Sequence, residues 1–166
     1  MTTKRVVFAI LSLLAAGAAL GYDANGVNLG GSEAQIKKAF PSARCKALEW
    51  SSKAADRRCD DGKIAFGGAE ARITFYLKKD SVQAFDLRFD TKDLDRVAAF
   101  VKSRYGKPFA EAKESIERDG KPARDIYKVR WEKGSDHAVL VSQLEKSRST
   151  LTVSRGDFEE EIYRVR

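Results

Sequence analysis

The sequence is poor in the residues that carry most catalytic and metal chemistry. It has one histidine, His137, and two cysteines, Cys45 and Cys59. His137 has no partner pattern around it and reads as a turn or strand-edge residue, not as a general base. A metal site would need more ligands than these three. A redox motif would want its thiols as C-x-x-C. No G-x-S-x-G elbow occurs. Gly30-Gly31 and Gly67-Gly68 are doublets, shorter than the glycine-rich loops that cradle phosphate. Asp60-Asp61 and Glu159-Glu160-Glu161 lack calcium-loop spacing and read as a turn and a solvated helix face. No block of five like charges appears. Lys37-Lys38, Arg57-Arg58 and Lys78-Lys79 are interleaved with 24 acidic residues, as in a solvated surface or in a face that attracts anionic envelope polymers or acidic proteins. The expectation is a non-enzymatic protein with no cofactor. An enzyme with an unrecognised site is the alternative.

What is present is a three-part N-terminus. Lys4 and Arg5 precede an apolar run from Val6 to Leu20, small residues cluster from Ala15 to Gly21, and the chain turns polar at Asp23 and Asn25. That is the pattern of a signal peptide, and its apolar core is shorter than the roughly 20 residues of a membrane-spanning helix. Cleavage is expected near Gly21, leaving residues 22–166 as one mature domain. Lys4 and Arg5 leave with the signal, so the full chain's charge of +7 falls by two. No cysteine sits near the cleavage region, so lipid attachment is not expected. Nothing later is apolar enough to span a membrane. The expected product is soluble, periplasmic or secreted, and not a nucleic-acid partner. In an oxidising compartment Cys45 and Cys59 are expected to form a disulfide. Closing a loop of about 15 residues stabilises by about 3 kcal/mol in the chain-entropy model.

Hydrophobic periodicity supplies the elements. Ser32 with Gln35 makes a capping box before a short helix bearing Ile36 and Phe40, stopped by Pro41. Strands are expected near 45–50 and 63–66, around an exposed loop at 51–56. Ala71, Ile73, Phe75 and Leu77 alternate with polar residues, as do Phe85, Leu87 and Phe89, which predicts an antiparallel hairpin. Leu94, Val97, Ala98, Val101 and Tyr105 share one face of a helix that Gly106 and Pro108 end. Residues 110–125 form a polar segment with a turn at 119–122. Three strands follow near 127–131, 138–144 and 150–154. From Asp157 the tail is either a short helix with Phe158, Ile162 and Val165 on one side or an extended segment docked on the body.

These elements predict an α+β fold, with helices packed on one face of antiparallel sheet. Their order fits two tandem helix-plus-strands repeats over 30–90 and 91–155, with a tail at 156–166. Gly31-Ser32-Glu33-Ala34-Gln35-Ile36 resembles the opening helix of the small outer-membrane-assembly lipoprotein BamE. The second helix, ending in Tyr105-Gly106-Lys107-Pro108 before further strands, is similar to tandem domains of the β-lactamase-inhibitor-protein type. The resemblance implies a periplasmic or secreted binding or scaffolding protein. It carries no binding residue over to this chain.

Alternation along the strands places Arg72, Thr74, Tyr76, Asp86, Arg88, Lys128, Arg130, Thr150 and Thr152 on a wet sheet face. Aromatic and arginine side chains are favoured interface anchors. Tyr76 beside Arg72, Arg88 and Arg130, with Trp50 from a neighbouring loop, is therefore the expected partner-binding surface. The alternative is a sheet with a polar outer face and no partner. The expected partner is another envelope or secreted protein, with an anionic glycan or lipid such as lipopolysaccharide or peptidoglycan as the runner-up.

Overall fold

The computed structural model describes residues 21–164. The expected signal segment lies outside the described residues, apart from Gly21. The described chain opens with a small hairpin, β1 (Asp23–Ala24) and β2 (Val27–Asn28). Its Tyr22, Ala24, Val27 and Leu29 enter the core. Helix α1 (Glu33–Ala39) follows, with both halves of the Ser32–Gln35 capping box formed and Ile36 buried.

The main sheet begins with β3 (Arg44–Ala47), β4 (Arg57–Phe66), β5 (Ala69–Lys78) and β6 (Ser81–Asp90). A turn of 3-10 helix leads into α2 (Leu94–Tyr105), which ends at Gly106 with φ 85°. The sheet resumes with β7 (Ala110–Arg118), β8 (Lys121–Lys133), β9 (Asp136–Gln143) and β10 (Arg148–Arg155). A last turn of helix, α3 (Phe158–Glu161), follows. All eight strands join one antiparallel sheet in the order β3-β4-β5-β6-β10-β9-β8-β7. Two four-stranded meanders thus meet at β6 and β10.

Strands make up 53% of the structure and helices 18%. This corrects the expected α+β arrangement of helices packed on a sheet: the fold is mostly antiparallel β. Most core side chains come from the inner face of the sheet itself, among them Ile73, Phe75, Phe85, Leu87, Trp131, Leu140 and Leu151. Residues 110–125, expected as a polar segment, instead form β7 and the start of β8. They hide from a periodicity reading because every residue of β7 before Arg118 is exposed, so no apolar-inward alternation marks the strand.

Alternation does set the faces elsewhere. Ala71, Ile73, Phe75 and Leu77 are buried while Arg72 is exposed and Thr74 half-buried, the two-residue period of a pleated strand. Gly67 joins β4 to β5 at φ 57°, where a Cβ would lie 2.9 Å from Phe100 of α2. Only glycine combines that backbone with so close a helix approach. Cys45 and Cys59 stand directly opposite on β3 and β4 and are bonded. No helix among the described residues is long and apolar enough to cross a membrane.

Candidate functional site

The inner face of the sheet is largely taken up by the core, so a ligand has the outer face to bind. Strand register arranges that face in rows. One runs Arg72, Arg88, Thr150, Val141 and Lys128 across β5, β6, β10, β9 and β8. The next runs Asp60, Thr74, Asp86, Thr152, Val139 and Arg130. A third runs Arg58, Tyr76, Ala84, Ser154, His137 and Glu132.

The protein's own tail covers one end of the third row. Phe158 and Ile162 form a second apolar cluster with Tyr76, Ala84 and Ala55, and Trp50 packs at its edge. Tyr76 is only 8% exposed, its ring 5.4 Å from that of Phe158. Trp50 donates its indole N–H to the Ile162 carbonyl at 3.0 Å and stacks on Tyr163. Burial, with Asp86 adding to it, pushes the Tyr76 hydroxyl up to about 12.

The five residues expected to form one surface therefore separate into three places. Tyr76 and Trp50 are engaged by the tail. Arg130 lies three strands from Arg88, about 14 Å at ordinary strand spacing. Its Nε stands 3.2 Å from Glu132 Oε1, although that atom meets no hydrogen-bond geometry, and its guanidinium sits 4.9 Å from the Phe109 ring centroid. Arg72 and Arg88 alone stay together, exposed and directly opposite each other.

Three adjoining hollows run across the open part of the outer face. The first, about 140 Å³, is lined by Asp60, Asp61, Thr74 and Asp86 and reaches Arg72 and Arg88. These two arginines also border the second, about 460 Å³, which continues past Glu70, Asp90, Lys92 and Asp93 to Ser147 and Arg148. Ser147 and Arg148 in turn border the third, about 560 Å³, with Val141, Gln143, Lys146 and Thr150.

Every carboxylate along this groove is already engaged. Glu70 pairs with Lys63, Asp90 with Lys92, and Asp93 with Arg96. Asp60 pairs with Arg58 and accepts from Thr74. Asp61 accepts from Ser42, and Asp86 from Thr152 at 2.8 Å. Burial raises the Asp86 carboxyl above its ordinary range, and the Thr152 hydroxyl and the Arg88 charge offset part of that. By contrast, the side chains of Arg72, Arg88, Lys146 and Arg148 make no ion pair or hydrogen bond among the described residues. The sequence reading missed Arg148 because its place depends on β6 pairing with β10, which sets it opposite Asp90, 58 positions earlier. No local pattern carries that pairing.

Two other groupings are weaker. Ser154, His137 and Glu132 are register neighbours, but Ser154 is buried and its hydroxyl faces Glu159 at 3.5 Å, with no hydrogen bond to His137 among the described residues. Glu33 approaches Cys45 and Cys59. Both sulfurs are consumed in the disulfide, whereas a metal ligand must be a thiolate. Hydrogen bonding to Lys37 and to Arg57 holds the Glu33 carboxyl below its ordinary range.

No protein-family model, curated protein or solved structure matches the chain.

Proposed function

We propose that this is an exported binding protein without catalytic chemistry, which engages another envelope or secreted protein through the outer face of its sheet. The observation that carries the reading is the like-charge pair of Arg72 and Arg88. They face each other on adjacent strands, and neither makes an ion pair or hydrogen bond among the described residues, although like charges directly opposite destabilise a sheet. Several other arginines are paired: Arg57 with Glu33, Arg104 with Asp23, Arg155 with Asp136. An arrangement that sacrifices stability locally fits a site that a ligand completes. Export rests on the N-terminal signal pattern, and the resemblance to binding and scaffolding families agrees with it.

Crosslinking in intact cells tests the proposal. The full chain, tagged at its C-terminus, should capture one dominant envelope protein, and Arg72→Glu with Arg88→Glu should abolish the capture. A capture that survives both reversals removes the outer-face site. Turnover of an envelope substrate that is lost on changing Ser154 or His137 would replace binding with catalysis.

A further inference from the structure

We infer that the groove through Arg72, Arg88 and Arg148 takes an extended acidic segment of a protein partner, with carboxylates on alternate residues of that segment; this rests on the binding-protein reading and specifies its ligand. The spacing supports it. Arg72 and Arg88 are direct cross-strand neighbours, which puts their Cα atoms about 5 Å apart. Arg148 is the diagonal neighbour of Arg88, because Arg88 faces Thr150, and diagonal pairs lie about 7–8 Å apart. Alternate residues of an extended chain repeat at about 6.7 Å, between those two distances. The planar guanidinium fork matches a carboxylate with two parallel hydrogen bonds, and none of the three forks makes an ion pair or hydrogen bond among the described residues.

The groove's own acids select against a uniform polyanion. Glu70, Asp90 and Asp93 line the central hollow beside the arginines. A polyphosphate or a phospholipid surface brings negative charge to every part of the groove and meets those carboxylates as well as the arginines. A peptide can place neutral residues opposite them. At the far end, Val141 and Thr150 beside Arg148 suit the apolar and hydroxyl groups of a mixed sequence.

The test is fluorescence anisotropy with protein purified from cells expressing the full chain. The probes are a labelled dodecapeptide of Asp-Gly repeats, its Asn-Gly counterpart, linear polyphosphate, and phosphatidylglycerol vesicles. The Asp-Gly peptide should bind and the Asn-Gly peptide should not. Arg72→Gln, Arg88→Gln and Arg148→Gln should each weaken binding by about tenfold, the equivalent of one charge-assisted pair. Lys113→Gln, on the far edge strand, should leave it unchanged. The triple glutamine variant relieves the Arg72–Arg88 repulsion, so its thermal midpoint should be no lower than that of the parent, which separates lost binding from lost folding.

Failure of the Asp-Gly peptide to bind, or loss in Lys113→Gln equal to that of the groove variants, overturns the proposal. So does tighter, arginine-dependent binding of polyphosphate or vesicles. If the cellular partner's capture depends on Arg72 and Arg88 while the peptide does not bind, the acidic-segment assignment falls and the binding-protein reading stands.

Discussion

A single guanidinium nitrogen of Arg104 holds both carboxylate oxygens of Asp23, each at 2.7 Å. Asp23 is 4% exposed and also accepts from the Gly26 N–H, while its carbonyl accepts from the Tyr105 hydroxyl. These bonds tie the β1–β2 hairpin to the end of α2. Removing one partner of such a pair leaves a charge without its counterion. Arg104 is partly open to water, however, which lowers the penalty. Asp23→Ala should destabilise by about 2 kcal/mol, measured as a shift in the urea midpoint. A change under about 0.5 kcal/mol would mean that the hairpin is held by Tyr22, Val27 and Leu29 alone.

The disulfide closes a loop with a sequence separation of 14 and fastens β3 to β4 across a loop, 48–56, that carries no strand. Cys45→Ser with Cys59→Ser should lower stability by about 3 kcal/mol, read from paired denaturation curves. A reducing agent should lower the parent by a similar amount and leave the double variant unmoved.

Asp86 gives a pH signature. Its carboxyl is raised above the ordinary range in the folded protein, chiefly by burial, so the folded state binds that proton more tightly than the unfolded chain does. The group's destabilising effect is therefore absent below the unfolded value of about 3.9, grows as pH rises from there through the folded value, and is complete above it. Asp86→Asn keeps an oxygen to accept from Thr152 and removes the ionisation. It should melt at a higher temperature than the parent at pH 7, with the gap closing as pH falls through the folded value toward about 4. A constant gap from pH 3 to 7 would assign the effect to packing.

The tail is testable through its two aromatic neighbours. Ending the chain at Gly156 removes Phe158, Ile162 and Tyr163, which cover Tyr76 and Trp50. Tyr76, pushed up to about 12 in the intact protein, should then titrate closer to 10. Emission from Trp50 should move to longer wavelength, while that of buried Trp131 stays fixed. Unchanged titration and emission would show that Tyr76 and Trp50 are shielded without the tail.

Legibility followed burial. Ala71–Leu77, Phe85–Phe89 and the stripe from Leu94 to Val101 could be read because one face of each is dry and the other wet. β7 gave no such contrast, and its loss from the reading tipped the predicted class toward helices. The two-residue strands β1 and β2 are too short to show any period. For the candidate site, strand alternation correctly sent Arg72 and Arg88 to the outer face. It could not show that Phe158 would settle over Tyr76, 82 positions away, or that Arg130 would stand three strands from Arg88. Those placements are products of tertiary pairing.

The position of β10 has a consequence for how the chain is made. It follows the other seven strands of the sheet in sequence, yet it lies in the middle, hydrogen-bonded to β6 on one side and β9 on the other. During synthesis the first meander must wait with β6, bearing Phe85, Leu87 and Phe89, as an open edge. Such an edge is a template for pairing with the wrong chain. A nascent chain that is kept unfolded until β10 has been made, as a chain threaded across a membrane would be, never presents that edge as a finished surface.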